Sequence, residues 1–231
     1  MDIRPRLKKI VTMVPICDNV ADIGTDHGYA LISLIKEDRI KNGIASDNKK
    51  KPLEKARKNA TAEGVIDSIT FRRGNGLETL EPGEVNGVIV AGMGGQLIKD
   101  ILEASMDIVR SLDFVLLQPA QNPEILREYL YTGPYKVIDE DIIKEDRRFY
   151  EYMLIKFDDS EIKDGKEVIS FRVGDILPQK NHPLIHEFID YKIRQLGEIV
   201  DKIKPTSKYG ELRRLDLETK IDELRRIRNV C

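Results

Sequence analysis

"VADIGTDHGYALISLIKE" (Val20–Glu37) changes character twice. An apolar run, Val20–Ile23, carries a single acid, Asp22. Gly24 and Gly28 then bracket a short polar turn, and an apolar helical pattern follows from Tyr29. Strand, glycine turn and helix in that order open a βαβ unit. Gly24 allows a tight turn and close backbone approach to a ligand, and Gly28 lets the helix pack against the strand. The residue between them decides the chemistry. A dinucleotide fingerprint keeps glycine there to leave room for pyrophosphate; this chain has Asp26.

A carboxylate at that point repels phosphates and suits a cationic ligand. S-adenosylmethionine carries a sulfonium and an ammonium and no phosphate, so the turn favours it over NAD or FAD. A plain strand-to-helix turn uses the same glycines.

The pattern continues outward. Strands are expected at Val20–Ile23, Gly43–Ser46, Ile69–Arg72, Gly87–Ala91 and Phe114–Gln118, with helices at Tyr29–Glu37, Pro52–Ala62, Leu97–Val109 and Pro123–Tyr131 between them. This alternation predicts a parallel sheet. Tyr135–Ile143 and Glu151–Phe157, joined by a short polar connection, predict a closing hairpin with one antiparallel strand. The expected fold is α/β: a doubly wound, Rossmann-like fold of the methyltransferase variety with a seven-stranded, mostly parallel sheet, over residues 1–158. Residues 159–231 form a connector and two apolar-striped helices. Ile185, Ile189, Ile193, Leu196, Val200 and Ile203 recur on one; Leu217, Ile221, Leu224 and Ile227 recur on the other. Pro205 and Gly210 signal a turn between them. The pair predicts an antiparallel helical hairpin, too short for a sustained coiled coil.

Ligands of such sheets lie beyond the carboxyl ends of the strands. Asp47, about 25 residues after Asp22, stands where an acid accepts hydrogen bonds from both ribose hydroxyls of an adenosine; an N-cap for the next helix is the alternative. Gly74, Asn75 and Gly76 form a loop whose amides suit an adenine edge. Gly92, Met93, Gly94 and Gly95 let a flat ring approach the backbone of the fourth strand end. The Asn/Asp-Pro-Pro-aromatic run of enzymes that methylate exocyclic amines of bases is missing there. Neither Cys17 nor Cys231 is placed to serve as the nucleophile of a C5-pyrimidine enzyme. Gln118 and Asn122 offer uncharged amides to a base edge or simply cap a loop. Arg147, Phe149 and Tyr150 in the hairpin suit phosphate contact and base stacking, or form a charged tip over the core. His27 is more readily a structural donor beside a helix start than a general base. His182 and His186 show no metal partner.

Composition narrows the classes. The chain has 231 residues, 41% apolar, with 38 basic and 40 acidic residues and a net charge of −2. That is not the overall basic balance of a dedicated nucleic-acid binder, although basic clusters occur at Arg4–Lys9, Lys49–Lys51, Arg213–Arg214 and Arg225–Arg228. No run approaches the ~20 apolar residues of a membrane span. "MDIRPRLKKI" lacks the apolar core of a secretory signal. Two distant cysteines suggest reduced thiols and a cytoplasmic setting. No metal site, no membrane contact and a monomer or weak dimer are expected.

"RPRLKKIVTMVP", "VADIGTDHGY", "ASDNKKKPLEKARKNA", "RRGNGLETL", "VAGMGG" and "LLQPAQNPEILREYL" together resemble the bacterial tRNA (adenine-N1)-methyltransferases that act on adenine 22 of the D-arm. The likeness is strong to about Phe157 and looser in the helical tail. It implies a class I methyltransferase domain with a C-terminal helical hairpin, S-adenosylmethionine as methyl donor and tRNA as acceptor. It implies cofactor contacts at Gly24, Asp26, Asp47, Gly74, Asn75, Gly76, Ala91 and Met93, and Asp22, His27, Asn48 and Gly92 adjoin these. Gly28 stands where alanine is common in that family, and Asn75 where aspartate is common.

Adenine N1 has an in-plane lone pair and attacks a sulfonium methyl directly. Asp26 is the candidate to stabilise the charge that develops on the base; holding the methionine ammonium is its competing role. N1 lies on the pairing edge, so the target base must be unpaired or extruded. Tyr29, Phe149 or Tyr150 would stack on it, with Gly94, Gln118, Asn122 and Arg147 completing the substrate side. The stretch from Asp190 to Cys231 holds 11 basic and 8 acidic residues and would brace the tRNA backbone. Two other functions fit the sequence: a small-molecule methyltransferase, and a non-catalytic module whose hairpin docks a partner.

Overall fold

A computed structural model describes residues 4–161, 170–204 and 207–231. The chain divides into two compact units, Met1–Asp164 and Gly165–Cys231.

The first unit opens with a helix the strand-and-helix pattern above omits, α1 (Pro5–Met13). Pro5 begins it, at a position where a missing N–H is harmless, and Ile10, Val11 and Val14 bury its inner face. Then come β1 (Asn19–Ile23), α2 (Tyr29–Lys36), β2 (Asn42–Asp47), α3 (Lys50–Ala62), β3 (Ile69–Arg73), β4 (Gly87–Gly94), α4 (Gly95–Glu103), α5 (Met106–Ser111), β5 (Phe114–Gln121), α6 (Pro123–Thr132), β6 (Tyr135–Glu145) and β7 (Arg148–Phe157). The sheet order is β3-β2-β1-β4-β5-β7-β6. All neighbours are parallel except β7, which runs antiparallel to both β5 and β6. The order reverses between β1 and β4, which places the ligand crevice above their carboxyl ends.

Both faces of the sheet are covered, so central strands read as continuous apolar runs. Val88, Ile89 and Val90 are all fully buried. Alternation distributes them: Val88 and Val90 pack with Ile98, Leu102 and Leu126 of α4 and α6, and Ile89 packs with Ile10, Leu31 and Leu34 of α1 and α2. Two predicted boundaries shift. The helix expected over Leu97–Val109 is two, α4 and α5, separated at Ala104–Ser105. The fourth strand runs past Ala91 to Gly94, with register shifts against β5 at Met93 and Gly94.

The second unit holds α7 (Ser170–Val173), α8 (Ile176–Gln179), α9 (Ile185–Val200) and α10 (Lys208–Val230). Ile185, Ile189, Leu196 and Val200 on α9 and Leu217, Ile221 and Leu224 on α10 are buried. Ile193, Ile203 and Ile227 stay partly exposed. The Arg228–Asp190 ion pair joins the end of α10 to the start of α9, so the two run antiparallel. Gly210 lies in the first turn of α10, not in the connection: Ser207 caps the helix, its Oγ accepting from the Gly210 N–H at 3.1 Å. Pro205 lies outside the described residues.

Candidate active site

Glycines make the β1–α2 turn possible. Gly24 (φ +78°) and Gly28 (φ +69°) occupy left-handed backbone that other residues rarely adopt. The Gly24 and Thr25 N–H groups donate to the Ser46 carbonyl at 2.8 and 3.0 Å, tying the turn to β2. A methyl on Gly28 would stand 3.0 Å from the Ala56 side chain, so its absence lets α2 begin against α3. Met93 lies over Gly24, its terminal methyl in the space a side chain there would need.

Asp22 is buried in β1. Burial pushes its carboxyl up to about 6; a hydrogen bond from Thr25 works against that, and the charge of Asp47 adds to it. Asp26 is exposed and shared. Its Oδ2 lies 3.0 Å from His27 Nε2 and its Oδ1 3.3 Å from Lys55 Nζ. The carboxylate that the sequence offers to the cofactor or the reacting base is thus one member of a three-residue cluster, and Lys55 reaches it only through the packing of α3. His27 also stacks on Tyr29, ring centroids 5.2 Å apart and planes within 5°.

Asp47 ends β2. One of its oxygens accepts from the Lys49 N–H at 2.7 Å, leaving the other for a diol. Asn48 Nδ2 reaches Asn75 Oδ1 at 3.3 Å, joining the second strand end to the Gly74–Gly76 loop. Asn75 caps the short turn at Gly76–Thr79, with Glu78 bonding back to its N–H at 2.7 Å.

Beside this row opens a cavity of about 710 Å³, lined by Asp26, His27, Tyr29, Ala91, Gly92, Gln118 and, from α1, Arg4, Arg6, Leu7 and Ile10. Its size suits a nucleotide-sized ligand. The contribution of α1 escapes a reading confined to strand ends. Its signal was present: Pro5 followed by apolar residues at 7, 10, 11 and 14 is a helical stripe.

The remaining substrate-side residues divide. Gln118 is buried at the cavity wall, in register with Ala91. Asn122 is exposed, outside the cavity lining, in left-handed backbone that starts α6, and its carbonyl sits where a Gly95 side chain would go. Gly94 caps α4 beside it. The β6–β7 hairpin does project from the carboxyl side of the sheet, because β6 is parallel to the main strands. Arg147 is exposed at its tip. Tyr150 is covered by the Arg6 guanidinium, 4.6 Å from its ring centroid, and Arg6 also pairs with Glu145 at 2.7 Å. Tyr150 thus anchors α1 to the hairpin. Phe149 is half-buried on the alternate side of the strand and does not line the cavity.

The donor set fits S-adenosylmethionine. Carboxylates stand at the first two strand ends, and the Gly92 turn (φ +79°) has no heavy atom within 4 Å of where a side chain would start. Lys55, whose ammonium reaches the glycine turn from α3, is engaged by Asp26. Among the described residues, no three His, Cys, Asp or Glu side chains gather as a metal site, and no helix is long and apolar enough to cross a membrane.

A Rossmann-like sheet with acidic strand ends and a nucleotide-sized cavity at its switch point defines the class as nucleotide-cofactor α/β proteins of the methyltransferase kind. The family model "Methyltransferase domain" matches residues 3–153, and the chain belongs to that family. It is 33% identical over 156 residues to the tRNA (adenine(22)-N(1))-methyltransferase of Bacillus subtilis (strain 168), a match spanning 68% of this chain and 66% of that protein. The crystal structure of the B. subtilis m1A22 tRNA methyltransferase TrmK superposes with a TM-score of 0.85 at 26% identity, covering 98% of each chain. Streptococcus pneumoniae Sp1610, solved with S-adenosyl-L-methionine, gives 0.84 at 26%, covering 97% of this chain and 99% of that one.

Proposed function

We propose that this protein is an S-adenosylmethionine-dependent tRNA methyltransferase acting on N1 of an adenine, the adenine 22 that its relatives' names specify. The observation that carries this reading is the cavity at the β1–β4 switch point, where Asp26, a stacked His27–Tyr29 pair and the Gln118 amide meet beside acidic strand ends. When bound, S-adenosylmethionine supplies an electrophilic methyl group on a positively charged sulfur. Asp47 would hold the ribose hydroxyls, and the Gly24–Asp26 turn and Asp22 would face the methionine part.

The chain's own residues then position and neutralise. Adenine N1 gives its lone pair to the methyl carbon, the carbon–sulfur pair stays on sulfur, and the positive charge passes to the base and its amine. Tyr29, backed by His27, offers the ring on which the extruded base stacks. Asp26 lines the cavity, and an oriented carboxylate beside the base would lower the barrier by stabilising that charge. The basic residues of α10 would contact the tRNA backbone, so binding weakens steeply with salt. The protein would act in the cytoplasm as a monomer or weak dimer.

The test is transfer of labelled methyl to bulk tRNA followed by nucleoside identification. Labelled 1-methyladenosine supports the proposal; label in any other nucleoside, or none, overturns it. Asp26→Ala separates its two roles: loss of turnover with donor binding intact assigns it to the chemistry, and proportionate loss of binding assigns it to the cofactor.

A further inference from the structure

Gln118 carries a constraint that an amide usually lacks. Its Nε2 donates to the carbonyl of the next residue, Pro119, at 3.0 Å. A carbonyl oxygen can only accept, so the nitrogen must face it and the amide cannot be flipped. That orientation fixes Oε1 as the acceptor of the group. The side chain is held in the carboxyl half of β5, with its residue only 6% exposed, on the wall of the cavity that also holds Asp26 and Tyr29. Across the ladder its partner is Ala91, on β4. In enzymes that methylate exocyclic amines of bases, an Asn or Asp stands at the end of the fourth strand; here Gly92, Met93 and Gly94 offer no polar side chain, and the amide on the cavity wall is Gln118, one strand over.

We propose that Gln118 is the residue that tells adenine from guanine, Oε1 accepting a hydrogen bond from the exocyclic amine of the target base; this rests on the methyltransferase reading above. Adenine presents a donor beside N1, and guanine presents an acceptor, O6, beside a protonated N1. A fixed acceptor therefore attracts the first and repels the second. It also gains strength during transfer. Once N1 has taken the methyl, the positive charge is shared with the amine, whose hydrogens become better donors. The preference is accordingly read in turnover as well as in binding.

The test uses two versions of one D-arm-containing tRNA transcript, one with adenosine at the methylated position and one with purine riboside. Purine keeps N1 and loses the amine, with both its hydrogen bond and its electron donation to the ring, and the Gln118→Met variant separates the two. With the wild-type protein, kcat/KM should fall about tenfold to a hundredfold on the purine transcript, the effect of leaving one buried partner unmet. Gln118→Met, which lacks the acceptor, should lose a similar factor on adenosine. On purine it should lose little more, so the two changes are not multiplicative. Donor affinity by calorimetry and the melting temperature of Gln118→Met should match wild type, which separates a base contact from damage to the fold. Equal wild-type rates on the two transcripts overturn the proposal without use of any variant. So does a Gln118→Met defect of the same size on both, even while the wild type still makes 1-methyladenosine and the underlying reading stands. No transfer to either transcript overturns both.

Discussion

Two charge clusters in the first unit have similar composition and opposite settings. At the β1–α2 turn, Asp26 meets His27 and Lys55, and their side chains are 64%, 38% and 50% exposed. At the far edge of the sheet, Arg127 of α6 meets Glu140 of β6 and Glu151 of β7 at 2.7 and 3.0 Å, and Tyr131 donates to Glu140 at 3.1 Å. Arg127 and Glu140 are wholly buried. Burial alone would depress the Arg127 guanidinium; the two carboxylates outweigh it and hold the group firmly protonated. Water screens the first cluster, so its members contribute little to stability and stay available to a ligand. The second has no water to fall back on, and losing one partner strands the others. Ion pairing leaves the first cluster open to solvent and ligand and makes the second part of the architecture.

Arg127→Met should break the inner cluster most visibly. A loss of about 3–5 kcal/mol in urea unfolding is expected, with part of it regained when Glu140→Gln and Glu151→Gln are added. An unchanged midpoint would erase the contrast. Asp26→Ala should do the reverse: methyl transfer down about a hundredfold, the scale of removing one oriented electrostatic group, with stability within about 0.5 kcal/mol.

Asp22 gives the intermediate case, a buried acid at the exposed end. Its folded value is near 6, against about 3.9 for the unfolded chain. The folded state therefore holds its proton more tightly. The stabilisation is complete below about pH 4 and is lost as pH rises through about 6, a change of about 1–3 kcal/mol. Melting temperatures of wild type and Asp22→Asn, taken from pH 4 to 7.5, should diverge with that sign; a constant difference would refute it. Lys55→Ala should be the mildest change, within about 0.5 kcal/mol, with salt dependence of the melt unaltered.

The contrast also explains what the sequence discloses. Strand ends are local: Asp22, Gly24, Asp47 and Gln118 each sit where a periodic apolar run stops, so the site's outline follows from spacing alone. The inner cluster is not local. Glu140 and Glu151 fall in "VIDEDIIKEDRRFYEY", which reads as a charged hairpin, and only the pairing of β6 with β7 beneath α6 brings them to Arg127. Lys55 and the residues of α1 were missed for the same reason, since packing of α3 and α1 against the sheet carries them to the site. The expected base-stacking role of Tyr150 meets a similar obstacle in Arg6, whose guanidinium reaches its ring across more than half the chain length.

The place of β7 between β5 and β6 has a consequence for biosynthesis. A nascent chain extended only to Glu145 has made six of the seven strands, yet the backbone edge of β5 still lacks its neighbour. That edge is an open template for another chain until Phe157 clears the ribosome. Stalled or truncated translation products ending in that window should therefore aggregate, while products a few residues longer should remain dispersed.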